Sequence, residues 1–295
     1  MAILACTGIA SAQSAVTLYG VADVGLTKIT GKPTQLISSG TQNNGTSRWG
    51  LRGTEDMGGG LKASFNLEAQ VGLLDGATAA SMFARQANMS LGGGFGTLKA
   101  GRSLTPSWYG VMAWELTGSA NYAVVNSQFG YGGVNSRHNA EVSYTSPNFG
   151  GLNVTVGHLF APNNGNVAKN DLNVIYKAGP LSASLVYNKT ENKSKNMALG
   201  AAYNFGGFKV AGSWQDAKGG GLGKGFTLGA SMPVGPVTLT ADMARDTDKK
   251  DTDTLLEVKY ALSKRTSVYG VYLHNGAGKA ATAVKSTMVG LRHNF

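Results

Sequence analysis

The sequence LKASFNLEAQV, residues 61–71, alternates without exception: apolar side chains occupy the odd-numbered positions and polar side chains the even-numbered ones. A period of two is typical of a β-strand with one apolar and one polar face, because successive side chains of a strand point to opposite sides. The length matches the roughly 9 to 11 residues that a tilted strand needs to cross a bilayer. The segment therefore predicts a strand that is long enough to span a membrane.

The same alternation recurs along the chain and predicts about sixteen antiparallel strands, an even number, as a barrel with both termini on one side requires. Tight turns rich in Gly and Pro alternate with longer polar loops, which is typical of transmembrane barrels. The longest of these loops is the third, residues 104–137. The predicted strands are 15–29, 46–55, 61–72, 83–92, 97–103, 138–146, 152–160, 170–178, 181–190, 195–205, 208–216, 224–234, 237–246, 253–262, 266–274 and 286–295.

Alternation alone leaves a soluble β-sandwich open, because sequence parity does not say which face is buried. Two features favour the barrel. The strand count exceeds that of a typical sandwich, and aromatic residues cluster near strand ends, where membrane barrels carry interfacial girdles. The candidate girdle residues are Tyr144, Phe149, Phe160, Tyr176, Tyr187, Phe205, Phe208, Phe226 and Tyr260.

The composition restricts the function classes. Of 295 residues, 43 are Gly and only 14% are charged. Gly at about twice its ordinary frequency disfavours a helical enzyme. The formal net charge of +10 fits a nucleic-acid binder, an anion-handling surface or a channel. The basic residues are scattered along strands and loops and no helix collects them, which disfavours nucleic-acid binding.

The first twelve residues, MAILACTGIASA, are uncharged and end in Ala-Ser-Ala, the pattern that precedes a signal-peptidase site. We expect residues 1–12 to be a truncated signal peptide and residues 13–295 to form one barrel domain. Cys6 is the only cysteine, so no intramolecular disulfide is possible; its lipidation is the less favoured alternative. After residue 12 the chain lacks the run of about 18 apolar residues that a membrane helix needs, so insertion would have to use strands.

Five segments resemble the general porins of Gram-negative bacteria, especially the beta-proteobacterial and neisserial type. They are AVTLYGVAD (15–23), SRWGLRGTEDMGGGLKA (47–63), GTLKAGR (96–102), YTSPNFGGL (144–152) and GLRHNF (290–295). The resemblance implies an outer-membrane homotrimer of sixteen-stranded barrels. Each barrel would hold a water-filled pore, narrowed by the inward-folded third loop, through which small hydrophilic solutes diffuse passively. An exposed lid is the alternative for this loop.

Charged residues of the polar parity are candidates for the pore lining, because selectivity depends on pore width and on charge at the narrowest point. By resemblance, Arg48, Arg85 and Arg137 are the constriction arginines, although Arg85 shares parity with apolar neighbours. Glu68, Glu141 and Glu115 are the opposing acids. The basic excess predicts a preference for anions. For each charge the alternative is a solvated position away from the constriction. The remaining inward candidates are Arg52, Lys62 and Lys99.

The last strand, with Leu291, His293 and the terminal Phe295 on one face, resembles the signal read by the barrel-assembly machinery. Rim lysines are expected to meet the phosphates of lipopolysaccharide.

Neither catalysis, nor a cofactor, nor a metal is predicted. His138, His158 and His293 share parity with apolar neighbours, and no two His or Cys have ligand spacing. A barrel that acts as adhesin or receptor through its outer loops is the alternative function; a barrel hydrolase using His274 is a third.

Overall fold

The computed structural model describes residues 15–276 and 282–295; the predicted signal peptide and Cys6 lie outside them. The described chain is a succession of antiparallel strands with two short helices, α1 (Pro106–Met112) and α2 (Val124–Phe129). No helix in these residues is long and apolar enough to cross a bilayer. The strands are β1 (Ala15–Ile29), β2 (Gln35–Ser38), β3 (Arg48–Gly58), β4 (Leu61–Gln70), β5 (Gln86–Gly93), β6 (Gly96–Leu104), β7 (Arg137–Thr145), β8 (Leu152–Leu159), β9 (Lys169–Ala178), β10 (Leu181–Thr190), β11 (Lys195–Asn204), β12 (Lys209–Asp216), β13 (Lys224–Val234), β14 (Val237–Asp246), β15 (Asp251–Ala261), β16 (Thr266–Asn275) and β17 (Val284–Asn294).

The sheet closes on itself. From β3 to β17 each strand pairs with the next, and β17 pairs with β1 in the register from Val21↔Asn294 to Ile29↔Ser286. The other edge of β1 pairs first with β3 and then, over Val24–Thr27, with the four-residue β2. Within the described residues, β1 and β3–β17 therefore form a closed antiparallel barrel of sixteen strands, and β2 is a short addition in the first loop.

Each predicted strand coincides with one wall strand to within three residues at either end, because both the alternation and the turns are local signals. The turn between β3 and β4 shows the turn chemistry. Gly58, Gly59 and Gly60 all have positive φ angles, of 81°, 61° and 80°, which side chains other than Gly rarely adopt. The sequence predicted neither β2 nor the two helices.

The apolar parity faces outward. Leu18, Leu228 and Val289 are 60%, 55% and 62% exposed, whereas the inward-facing Asn173 and Gln215 are fully buried. A soluble sandwich has the opposite arrangement, with its apolar faces turned together. The outward apolar surface and the closed wall exclude the sandwich and match a membrane barrel. Seven of the nine predicted girdle residues are exposed, namely Phe149, Phe160, Tyr176, Phe205, Phe208, Phe226 and Tyr260.

The third loop, residues 105–136, forms the hydrophobic core against the inner wall. Helix α1 contacts β9 and β10, and helix α2 contacts β14 and β15. Val111, Val124 and Phe129 are fully buried there. The Thr105 hydroxyl caps α1 by accepting a hydrogen bond from the Trp108 backbone N–H at 2.9 Å, which fixes where the chain turns inward after β6. The loop therefore occupies part of the interior and leaves the rest open.

The wall makes room for this loop with small residues. The Trp114 indole N–H donates to the Ser184 hydroxyl at 3.1 Å, and its ring lies over Gly200 of β11. A Cβ atom at position 200 would lie 2.3 Å from the indole, closer than any real contact. The missing side chain therefore lets the indole approach the β11 backbone closely.

Candidate pore constriction

A cavity of about 1500 Å³ lies between the third loop and the wall, and its lining includes residues of β3–β7, β9 and β17. Arg48, Glu68, Arg85 and Arg137 all line it. The loop contributes Trp108, Tyr131 and the segment 133–136, so the cavity has a charged wall on one side and the loop on the other. Of the nine residues that the sequence suggested for the constriction, these four are the ones that the structure brings together at this cavity.

Glu68 is the centre of the charged group. Its Oε1 lies 2.7 Å from Arg85 Nε and 3.8 Å from Arg137 Nη2, and its Oε2 lies 3.4 Å from Arg48 Nε. The Tyr19 hydroxyl donates a further hydrogen bond to Oε2 at 3.1 Å. We call Arg48, Glu68, Arg85 and Arg137 the arginine cluster.

The arginine cluster is assembled by three different local structures. Arg48 and Glu68 point inward from β3 and β4, as their parity predicts. Arg85 lies just before β5 begins at Gln86, so strand parity does not apply to it; its backbone N–H donates to the Glu68 carbonyl at 3.2 Å. Arg137 is the first residue of β7, and its Nε donates to the Arg85 carbonyl at 2.6 Å. The apolar parity that Arg85 shares with its neighbours therefore does not place it in the lipid.

The cluster carries an excess of positive charge. Three guanidinium groups lie within 3.8 Å of one carboxylate, which leaves the cluster with two net positive charges. The side chains of the three arginines remain 22%, 13% and 16% exposed to the cavity, so their charge acts on what passes through it. Four further basic residues that the sequence analysis did not select also line the cavity: Arg102, Lys169, Lys193 and Arg292.

A sequence signal existed for three of these four residues. Arg292 alternates with the outward-facing Leu291 of the last strand, and Arg102 falls within the segment 96–102 on which the resemblance rests. Arg292 Nη1 donates to Asn44 Oδ1 at 2.6 Å, so it also ties the first loop to the wall. Lys169 is the first residue of β9 and shares the inward parity of Asp171, whereas Lys193 lies in the loop after β10, where strand parity gives no information on side-chain direction.

The other predicted constriction residues lie elsewhere. Arg52 stacks on the Tyr19 ring at 5.0 Å and Lys99 on the Tyr109 ring at 5.5 Å, and neither lines the larger cavity. Lys62 lines a separate cavity of about 520 Å³ together with residues of the tight turns after β3 and β5. Inward parity fixes the face of the wall but not the height along it, so the structure does not group these three residues with the arginine cluster.

Glu115 and Glu141 do not face the larger cavity as opposing acids. Glu115 is 8% exposed; its carboxylate accepts hydrogen bonds from the backbone N–H of Thr117 at 2.8 Å and of Ser119 at 2.9 Å. It stabilises a turn of the third loop. Glu141 is 1% exposed and contacts His138, with 2.5 Å between Oε2 and Nδ1. Because contacts within the protein hold each carboxylate, the structure does not place either of them in the lining of the larger cavity opposite the arginines.

His138 points inward, which corrects the expectation that it faces lipid. It is 6% exposed and lines the larger cavity. The register of β6 and β7 shifts at this point: Gly101 pairs with Glu141, but Ser103 pairs with His138. The chain therefore advances by two residues on β6 and by three on β7. The extra residue of β7 reverses the parity on one side of the bulge. His158, one strand further, keeps the outward parity and packs against Phe160 at 4.6 Å.

A buried polar network holds the first and third loops against the wall. The Asn44 amide donates to the Tyr122 hydroxyl at 2.6 Å, and that hydroxyl donates to the Glu257 carboxylate of β15. Burial and the neighbouring Glu257 charge raise the pKa of Tyr122 above its ordinary value, so the hydroxyl keeps its proton and donates at any working pH. We call Asn44, Tyr122 and Glu257 the loop network.

The C-terminal strand completes the barrel. The Phe295 backbone N–H donates to the Gly20 carbonyl at 3.1 Å, and the Gly20 N–H donates to the Phe295 carbonyl at 3.0 Å. The side chains of Leu291, His293 and Phe295 are exposed on the outer face. Their role as an assembly signal remains a prediction.

The chain is similar in sequence to known proteins of the bacterial outer membrane. A family model described as Gram-negative porin matches residues 1–279. The outer membrane porin protein 32 of Delftia acidovorans is 33% identical over 344 residues, covering 100% of this chain and 98% of that protein. The major outer membrane protein P.IB of Neisseria lactamica is 28% identical, covering 97% and 96% of the two chains.

A solved structure, the anion-selective porin from Comamonas acidovorans, superposes with a TM-score of 0.77 at 31% identity, over 96% of this chain and 100% of that one. OmpT, an outer membrane protein of Vibrio cholerae, superposes with a TM-score of 0.72 over 96% of this chain and 98% of that one. At 16% identity the second likeness shows the fold alone.

Proposed function

The chain belongs to the Gram-negative porin family of the outer membrane, and from that premise we propose that its pore passes small hydrophilic solutes and ions by passive diffusion, with a preference for anions. The observation that carries the anion preference is the arginine cluster. Its two net positive charges face the larger cavity. A fixed positive potential in a pore lowers the free energy of an anion there and raises that of a cation. The likeness to a solved porin described as anion-selective supports the same conclusion.

We assign the constriction to Arg48, Arg85, Arg137 and Glu68. The acid keeps the three guanidinium groups close together, since like charges at this spacing repel without a bridging carboxylate. The fixed arrangement orients the positive charges toward the lumen. Arg102, Lys169, Lys193 and Arg292 extend the positive surface around the same cavity and would concentrate anions in it.

The proposed function includes no bond chemistry, in keeping with a family of channels. Among the described residues, Ser107, His138 and Asp171 are an inward Ser, His and acidic residue that lie close together. The Ser107 hydroxyl donates to Asp171 Oδ1 at 2.5 Å, and the hydrogen-bond partner of His138 Nδ1 is Glu141. In this arrangement the hydroxyl is paired with an acid and not with the imidazole base that would activate it.

We further propose a homotrimer, as the family resemblance implies; one solved structure of the same fold is described as a trimer form. The exposed Lys249 and Lys250 lie between β14 and β15 on the long-loop rim, where they would meet lipopolysaccharide phosphates. The exposed terminal Phe295 would be recognised by the barrel-assembly machinery during insertion. Residues 1–12 would be removed as a signal peptide.

The test is the reversal potential of a planar bilayer that holds the purified protein between two salt concentrations. The parent should conduct with anion selectivity, and Arg48→Glu should shift the potential toward cation selectivity, because it exchanges a positive for a negative charge at the cavity. Arg265→Glu is the matched control. Residue 265 is exposed in the tight turn between β15 and β16, away from the cavity. Its substitution should therefore leave the reversal potential unchanged.

The outcomes distinguish the parts of the proposal. A parent that inserts without conducting contradicts the diffusion pore and favours an adhesin or receptor. A conducting parent without anion preference, or an Arg48→Glu variant with the parent's potential, contradicts the assigned constriction. Conductance increments grouped in threes support the trimer.

A further inference from the structure

His138, Glu141 and Asp171 meet on the inner face of the barrel, and His138 directly follows Arg137 on β7. Each offers one ligand atom, and these atoms all lie within 4.8 Å of one another. All three residues are more than nine-tenths buried, at 6%, 1% and 2% exposure. We call these three residues the His-acid cluster. The proposed pore function uses none of them.

The backbone is distorted where the cluster forms. In a regular strand, residues three positions apart such as 138 and 141 point to opposite faces. Here the bulge in β7 turns both inward, and Ala140 between them has a φ of +46°. Residues other than Gly rarely adopt this conformation, which costs free energy and persists where the surroundings hold it. The strain has the effect of bringing an imidazole to a carboxylate.

Gly157 of β8 provides the space for the cluster. It pairs with Ser143 of β7 on one side and with Asp171 of β9 on the other, so it lies between the two strands that carry the ligands. A Cβ atom at this position would lie 3.1 Å from Glu141 Cδ and 3.0 Å from Pro106 Cγ. Any larger residue here would press on the carboxylate that reaches across β8.

Three buried polar atoms of the cluster have no hydrogen-bond partner among the described residues: His138 Nε2, Glu141 Oε1 and Asp171 Oδ2. Buried polar atoms are rarely left unpaired, because removal from water is then uncompensated. The remaining atoms do have partners, since Ser107 Oγ donates to Asp171 Oδ1 at 2.5 Å and Glu141 Oε2 lies 2.5 Å from His138 Nδ1. Each side chain is thus held by one atom and leaves another free.

We propose that the His-acid cluster binds a divalent first-row transition-metal cation. One imidazole nitrogen and two carboxylate oxygens form the donor set that suits Zn²⁺ and its neighbours in the periodic table. His138 lines the larger cavity, from which the cation and a completing water ligand can enter. The Ser107 hydroxyl orients Asp171 in the way that outer hydrogen bonds orient metal ligands.

The bound cation would link the wall to the third loop. His138 and Glu141 belong to β7 and Asp171 to β9, and Ser107 is the second residue of α1. The Asn188 amide of β10 in turn donates to Ser107 Oγ at 3.0 Å. A cation at this point would fix the base of the loop next to Arg137.

Zn²⁺ binding to the untagged, detergent-purified chain, freed of metal by a chelator and followed by isothermal titration calorimetry, tests the proposal. The parent should bind about one Zn²⁺ per chain, the stoichiometry of a single site. His138→Gln, Glu141→Gln and Asp171→Asn keep the side-chain size and remove one donor each. Each should weaken binding by about 100-fold or more, since even loss of an outer partner costs about 10- to 100-fold.

His158→Gln is the matched control, because His158 lies on the neighbouring strand and faces outward beside Phe160. It should bind like the parent. No stoichiometric binding to the parent, or parent-like binding to His138→Gln, overturns the proposal. Circular dichroism and conductance of each variant show that the barrel has folded. If the variants do not fold, anomalous diffraction at the zinc edge from parent crystals soaked in Zn²⁺ decides: a peak among the three side chains supports the site, and its absence refutes it.

Discussion

Removal of the Glu68 charge is the sharpest test of how the arginine cluster sets selectivity. The substitution Glu68→Gln keeps the size of the side chain and raises the net charge of the cluster from two to three positive units. An anion that passes at about 4 Å from an uncompensated charge gains about 1 kcal/mol in a water-like dielectric, which corresponds to about a fivefold increase in its local concentration. We therefore expect a several-fold rise in the anion-to-cation permeability ratio.

The measurement is the reversal potential across a planar bilayer in a gradient of potassium chloride around 0.1 M, where the Debye length is about 10 Å. The shift should shrink at about 1 M salt, where screening reaches about 3 Å. Glu191→Gln removes the same charge from an exposed position in the loop after β10 and controls for the net charge of the chain. An unchanged potential for Glu68→Gln, or a shift toward cations, would refute the reasoning that this carboxylate offsets the arginines in the pore.

The packing of the third loop supports two further predictions. A Cβ atom at position 200 would lie 2.3 Å from the Trp114 indole, so Gly200→Val should displace the loop and lower the free energy of unfolding by about 1–3 kcal/mol, the usual range for overpacking. Thermal unfolding measures the loss of stability, and single-channel conductance measures the displacement of the loop. A melting midpoint and a conductance like the parent's would contradict the packing. Tyr122→Phe removes the donor to the buried Glu257 carboxylate. It should lower the free energy of unfolding by about 1–3 kcal/mol and increase the open-channel current noise. A variant with the stability and current noise of the parent would show that the loop network does not hold the loop.

The wall strands were predictable from the sequence because their signals are local. The alternation of β4 and the glycines at 58–60 each act over a few neighbouring residues. Strand β2 has only four residues, too few for the alternation to rise above chance. Helices α1 and α2 are seven and six residues long and are stabilised by contact with the inner wall. Helices this short depend on tertiary packing, so a local pattern does not reveal them.

The site was predictable where parity applies and where the resemblance supplied a position. Arg48 and Glu68 lie within regular strands and face as expected. Arg85 lies just outside β5, so only the resemblance identified it. His138 was assigned to the wrong face because one extra residue in β7 reverses the parity. A bulge is set by backbone angles such as that of Ala140, which alternation does not report.

The placement of the pore follows from a second pattern within the alternation. The inward positions of most wall strands carry polar residues, but those of β11 include Ala198, Gly200 and Ala202. These small apolar residues do not face an open lumen, because Trp114 and its neighbours of the third loop pack against them. The loop therefore covers this stretch of small residues and leaves the arginine cluster lining the opening. The packing of Trp114 on these small residues is one of the contacts that place the third loop on this side of the lumen, and a run of small inward residues is the sequence signal that locates it.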